Sequence, residues 1–181
     1  MPVSPVPLTK YRYRRRLPHW QKADADLFVT FCSSAPLPLP EEARDLILGH
    51  CLREHSRRIH LHAAVVMPDH VHLLVSEPER MSLADALKSL KQGVSRRLIG
   101  KEAHFWQKRY YDFNVPSAAK FVEKLRYIHR NPVRRGLCAR PEDWEWSSFR
   151  QHATGWVGRV QIESEWTQWK RALPHSSQQK A

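Results

Sequence analysis

A chain of 181 residues that is 41% hydrophobic and 27% charged is the size of one ordinary domain and can bury a core without disulfides or a structural metal. Cys32, Cys51 and Cys138 are scattered, odd in number and free of any CxxC pairing, which argues against a disulfide framework and against a cysteine-based zinc site. No apolar run approaches the roughly 20 residues that span a bilayer, and residues 1–16 hold no apolar h-region of a secretory signal, so no membrane partner is expected and the cytoplasm, with the nucleoid, is the expected location. Thirty Lys+Arg against eighteen Asp+Glu leave a net charge of +12, which attracts polyanions and favours nucleic acid as the partner.

The segment Lys10-Tyr-Arg-Tyr-Arg-Arg-Arg16 lies among prolines and cannot bury enough apolar surface to fold alone, so residues 1–18 read as a basic flexible arm. Asp26 to Cys32 is β-branched and aromatic, hence a strand, and the prolines between Pro36 and Pro40 force a loop. A helix is predicted from Glu41, with Ala43, Leu46, Ile47 and Cys51 at helical spacing and Glu41 and Glu42 at the positive end of its dipole. Ile59 to Val66 and Val71 to Ser76 form an antiparallel hairpin around a short turn. Ser82 caps a helix to about Ile99, Phe105 to Val115 is extended, and Ser117 caps a second amphipathic helix through Phe121, Val122, Leu125 and Ile128. Pro132 ends or kinks that helix near its last turn.

The order strand, helix, strand, strand, helix, strand, helix predicts an α+β domain, a ferredoxin-like antiparallel sheet with helices on one face, over residues 19–150. Residues 151–181 form a partly packed tail with a disordered end. Five of the seven tryptophans (Trp144, Trp146, Trp156, Trp166 and Trp169) lie beyond Arg134, so part of this irregular region packs on the body or on a ligand; Glu142 to Ser148 is the stretch expected to fasten it.

His70 and His72 are i and i+2 on a strand, so both imidazoles project to one face and can converge on one cation, while Val71 points into the core. An HxH pair also occurs as surface or hydrogen-bonded core histidines. Tyr127 and Asn131 share one face of a helix at i, i+4 spacing, and an amide oxygen there can serve as a third ligand beside a tyrosine nucleophile. A phenol with a free pKa of about 10 needs activation at neutral pH by a metal or by Arg126, Arg130 or His129; equally, Tyr127 can be a half-buried residue of an amphipathic helix. His60 and His62 raise a separate option, a zinc site made with His70 and His72 across the hairpin, which requires a strand parity that a hairpin does not guarantee.

Val65-Val-Met-Pro-Asp-His-Val-His-Leu-Leu74 and Tyr127-Ile-His-Arg-Asn-Pro-Val-Arg-Arg-Gly-Leu137 resemble the signature segments of the REP-associated tyrosine transposases, of the HUH single-tyrosine superfamily of small insertion sequences. Further similarity lies at Arg16-Leu-Pro-His-Trp20, at Phe105-Trp106-Gln107 followed by Tyr110-Tyr111-Asp112, and at Glu142-Asp-Trp-Glu-Trp-Ser-Ser148, so the resemblance runs from about residue 12 to 150. It implies a ferredoxin-like fold, a divalent metal (Mg2+ or Mn2+), cleavage and rejoining of single-stranded DNA through a covalent 5′-phosphotyrosine, and a substrate that is a repetitive extragenic palindrome, a hairpin with a single-stranded guide at its foot. By matching position it implies Tyr127 as nucleophile and His70, His72 and Asn131 as metal ligands.

A hairpin binder needs cations for two phosphate backbones and aromatic faces for unpaired bases. Lys10, Arg12, Arg14, Arg15 and Arg16 on the arm, Arg96 and Arg97 on the first Ser-capped helix, and Arg126 and Arg130 beside Tyr127 are the candidate DNA contacts, with Trp106 and Tyr110 as candidate stacking platforms. The same cations can be solvated faces and the same aromatics core. The protein is expected to work as a monomer or homodimer, and the alternative to catalysis is a domesticated hairpin DNA- or RNA-binding protein without turnover.

Overall fold

A computed structural model describes residues 26–34, 38–55, 57–76, 78, 80–98, 105–155, 159, 160 and 162; the arm with Lys10, Arg12, Arg14, Arg15 and Arg16 lies outside them. The strands are β1 (Asp26–Ser33), β2 (His60–Val66), β3 (His70–Ser76) and β4 (Trp106–Val115), and the helices are α1 (Glu41–Glu54), α2 (Leu83–Leu98) and α3 (Ala118–Arg134), the last two amphipathic and capped by Ser82 and Ser117. The sheet order is β2-β3-β1-β4 with every neighbour antiparallel, the ferredoxin-like arrangement expected from the order of elements.

Strand parity divides the sheet into two chemically different faces. Leu27, Val29 and Phe31 of β1 pair with Val75, Leu73 and Val71 of β3; all six are fully buried and, with α1 and α2, build the main core. The alternate residues Phe28, Thr30 and Cys32 pair with Leu74, His72 and His70 and face α3. The third helix therefore adds a layer on the opposite face from α1 and α2, where the sequence predicted helices on one face.

Pro132 lies in the last turn of α3, which ends two residues on at Arg134, close to where the proline was expected to end or kink it: at that position the missing N–H forfeits only one intrahelical bond. The stop comes at Gly136, whose φ of 66° allows its N–H to reach Val133 O (2.9 Å) while Leu137 N–H reaches Pro132 O (3.0 Å), a Schellman closure that strains a residue with a Cβ. The region after Arg134 is less irregular than predicted: a 3-10 turn at Pro141–Asp143 precedes helix α4 (Phe149–Thr154).

That region fastens the body as the tryptophans implied. Trp146 O accepts from Val66 N–H (2.9 Å), Ala64 O accepts from Ser148 N–H (2.9 Å), and the Ser148 hydroxyl accepts from Ala64 N–H, so residues 146–148 cover the outer edge of β2. Trp144 Nε1 donates to Val66 O, Trp146 Nε1 donates to Asp45, and the Arg44 guanidinium lies 3.7 Å from the centre of the Trp146 ring. On the other side His129 of α3 reaches the same Ser148 hydroxyl at 2.8 Å. One serine thus ties the sheet edge to the helix that carries Tyr127.

Candidate functional site

Strand β3 delivers His70 and His72 to the α3 face, and both are 4% exposed. Their Nε2 atoms lie 3.0 Å apart. Each ring is oriented from behind: Nδ1 of His70 is 2.6 Å from Asp69 Oδ1, and Nδ1 of His72 is 2.7 Å from the Thr30 hydroxyl on the neighbouring strand. Burial first, then the charges of His70, Arg135 and Lys124, push the His72 imidazolium well below its ordinary range, so His72 is a neutral imidazole at pH 7 with one nitrogen left as a lone pair.

Helix α3 closes the site. The Asn131 side-chain amide lies 2.8 Å from His72 Nε2, and one turn earlier the Tyr127 ring stands edge-on to His72, with centroids 5.5 Å apart, and to Phe28 at 5.7 Å. Tyr127 is 37% exposed, placed at the mouth and not in the core. A cavity of about 320 Å³ opens between α3 and the sheet, walled by His70, His72, Tyr127 and Asn131 on one side and by Arg109, Tyr110 and Tyr111 of β4 on the other.

The donor set suits a cation. In the tautomer in which both Nδ1–H groups donate to Asp69 and Thr30, the two Nε2 lone pairs face each other at 3.0 Å, an arrangement that a cation between them relieves. Imidazole nitrogens about 2.1 Å from one ion and at right angles around it take about this separation. Asn131, turned about its terminal bond, presents an amide oxygen at the same point. Among the described residues no group of three His, Cys, Asp or Glu side chains could hold a metal; the third donor here is an amide, which such a set does not include.

The cations beside Tyr127 are not those expected from sequence. His129 is buried on the opposite side of α3, held by Ser148 and packed 5.0 Å from His152; burial, then the charge of His152, depresses its pKa to about 3, so it is not a base for Tyr127. Arg126 and Arg130 are exposed on α3. Instead Lys124 places Nζ 6.0 Å and Arg134 its guanidinium carbon 5.9 Å from the Tyr127 ring centre, from positions i−3 and i+7 of the same helical face. Arg96 and Arg97 are exposed at the end of α2, in the layer across the sheet from this cavity.

Trp106 is not an open stacking platform: it is 7% exposed, packs on Phe31 and Phe105, and donates its Nε1–H to Lys91 O. Tyr110 does line the cavity. The four-histidine zinc option is excluded by register. His60 pairs with Ser76, whereas His72 pairs with Val65, so the two pairs sit about four residues, or roughly 13 Å, apart along the hairpin. His62 is instead taken up by Asp26 (3.1 Å) and Ser76 (2.7 Å).

Thr30, Lys124, Arg134 and Arg135 were not found by sequence reading, because each reaches the site through a strand pairing or helix face fixed only by the fold. Asp69 alone carried a local signal, being next to His70 in the hairpin turn.

Residues 42–131 match the family described as Transposase IS200 like. An Escherichia coli K12 REP-associated tyrosine transposase is 27% identical over 111 residues, covering 58% of this chain and 66% of the relative. A Haemophilus influenzae Rd protein with a provisional form of the same name is 29% identical over 102 residues, covering 49% of this chain and 58% of the relative. The matches thus span about three fifths to two thirds of these relatives' lengths. Among solved structures, a REP-associated tyrosine transposase bound to a REP hairpin superposes with a TM-score of 0.69 at 19% identity, over 83% of this chain and 92% of that one, a likeness of fold.

Proposed function

The chain belongs to the IS200-like transposase family, and we propose that it is a metal-dependent single-stranded DNA endonuclease and strand transferase acting at palindromic hairpin DNA through a covalent 5′-phosphotyrosine on Tyr127. The observation that carries this reading is the convergence of His70, His72 and Asn131 beneath Tyr127 within one chain, which supports a site complete in a monomer. His70, His72 and the Asn131 amide would hold Mg2+ or Mn2+, which when bound polarises a phosphoryl oxygen and neutralises charge on the phosphodiester.

The chain's own groups supply the remaining steps. Thr30 and Asp69 fix the two imidazoles, and α3 holds the Tyr127 ring against His72 and Phe28, so the phenol oxygen is presented at the cavity mouth without further ordering. Lys124 and Arg134 favour the phenolate over the phenol and attract the incoming phosphate. The Tyr127 oxygen bonds to phosphorus as the bond to O3′ breaks. The electron pair leaves on O3′, which takes up a proton and departs as a free 3′-hydroxyl, while the 5′-phosphate stays on Tyr127. Attack by a 3′-hydroxyl reverses these bond changes one for one, so rejoining needs no ATP.

The substrate class is supported by the names of the E. coli and H. influenzae relatives and by the hairpin bound to the solved relative. The test is a denaturing gel of the protein with labelled single-stranded palindromes of its own genome, with and without Mn2+. Wild type forms a covalent protein–DNA band that chelator removes, and Tyr127→Phe forms none while still binding the hairpin. An undiminished band in that variant overturns the role of Tyr127; activity indifferent to chelator overturns the metal; salt-dependent hairpin binding with no cleavage of any substrate favours the non-catalytic binder.

A further inference from the structure

The hairpin turn between β2 and β3 contains one carboxylate that faces in two directions. Asp69 Oδ1 lies 2.6 Å from Nδ1 of His70, and Asp69 Oδ2 lies 3.2 Å from Nη2 of Arg135. His70 is a strand residue of the proposed metal site, while Arg135 is the C-cap of α3, the helix that carries Tyr127 and Asn131. The backbone of the same residue is also held, with Asp69 O accepting from Ser33 N–H at 2.9 Å, so the carboxylate is presented from an anchored turn and not from a free loop. Its side chain is 23% exposed and that of Arg135 25% exposed, deep enough for the pair to keep one geometry.

We propose that Asp69 is a positioning residue that joins the two halves of the site: one oxygen fixes the tautomer and orientation of His70 so that Nε2 carries a lone pair toward the cation, and the other anchors the end of α3 through Arg135. This inference rests on the metal-dependent reading of the site. A carboxylate behind a ligating imidazole raises its basicity and removes its rotational freedom, and its loss costs about 10- to 100-fold in metal affinity. Asp69 adds to that a mechanical link, since the same group also draws in the C-terminal turn of the helix bearing the nucleophile and the amide ligand. His72 has no such link behind it: the Thr30 hydroxyl that orients it comes from the middle of the sheet.

The test is Mn2+ binding to the folded, DNA-free full chain by titration calorimetry, with Co2+ absorption as a reporter of ligand geometry. Asp69→Asn keeps the shape and removes the charge, and is expected to weaken Mn2+ binding by about 10- to 100-fold and to alter the Co2+ spectrum. Arg135→Gln is expected to weaken binding less, and the double variant to be no worse than Asp69→Asn alone, because both act along one path. Additive losses overturn the link to α3. A lower melting temperature of the metal-free variant with unchanged Mn2+ affinity assigns Asp69 to turn stability and overturns the proposal. Absence of Mn2+ binding by wild type overturns the metal reading itself, and the proposal with it, whereas wild-type binding matched by Asp69→Asn overturns the proposal alone.

Discussion

The side-chain amide of Asn131 on α3 lies 2.8 Å from Nε2 of His72 on β3, so a residue one turn beyond Tyr127 docks directly on the histidine pair. That single contact converts the i, i+4 spacing of Tyr127 and Asn131 from a shared helical face into a site with a defined second wall. Asn131 is 6% exposed and lines the cavity together with His70 and His72, so its amide is held against the histidine pair and not in open solvent.

Asn131→Ala is therefore expected to lower Mn2+ affinity and DNA cleavage, the latter by about 10- to 1,000-fold, while hairpin binding persists. Asn131→Asp keeps an oxygen at the same reach and should recover part of the metal affinity. Calorimetry and single-turnover cleavage check both. Equal cleavage by Asn131→Ala and wild type removes Asn131 from the site.

Thr30→Val is the most economical probe of His72. It preserves shape on β1 and deletes only the hydroxyl that lies 2.7 Å from Nδ1, stranding a ring nitrogen in a fully buried position. The expected cost is about 1–3 kcal/mol in urea unfolding of the metal-free protein, together with weaker Mn2+ binding. Unchanged stability and metal affinity would show that His72 is oriented by its packing on Phe28 alone.

Lys124 and Arg134 flank the Tyr127 ring. Lys124→Met and Arg134→Met, which keep the aliphatic reach, should each slow formation of the covalent adduct by about 10-fold or more with little effect on Mn2+ affinity. Arg126→Met, at an exposed position next to Tyr127, should leave adduct formation per bound DNA unchanged. Equal effects at positions 124, 126 and 134 would reduce all three to general attraction for phosphate.

Acid should loosen the contact between α3 and the segment that carries Ser148. His129 has its pKa lowered from 6.5 to about 3 by burial and by His152, so the unfolded chain binds a proton that the folded chain refuses. The neutral form's stability is fully present above pH 6.5, declines as pH falls below that value, and is lost as pH passes through about 3. At pH 4.5, two units below the unfolded value, the cost is on the order of 3 kcal/mol. Urea midpoints of wild type between pH 7 and 4 should fall more steeply than those of His129→Gln; parallel slopes would assign acid sensitivity elsewhere.

How much of this was legible in the sequence follows from the range of the forces involved. Strand alternation put His70 and His72 on one face and Val71 on the other, and Ser117 marked the start of α3, because both depend on neighbours a few residues away. Order of elements was enough for the ferredoxin-like sheet. Resemblance then selected Tyr127 and Asn131, which spacing alone left open between site and ordinary helix face.

Tertiary structure decided the rest. Which cations attend Tyr127 depends on the rotation of α3 over the sheet, and that rotation is set by contacts such as His129 with Ser148, 19 residues away. It set Lys124 and Arg134 beside the Tyr127 ring and pointed Arg126 and Arg130 elsewhere in solvent. Thr30 reached His72 only through the pairing of β1 with β3, 42 residues distant, and the bulge between Leu61 and Ala63 left His62 to Asp26 and Ser76. Local propensity acts within a turn or a strand, whereas a site is assembled by packing between segments far apart in the chain, so the types of its residues could be read in advance but most of their partners could not.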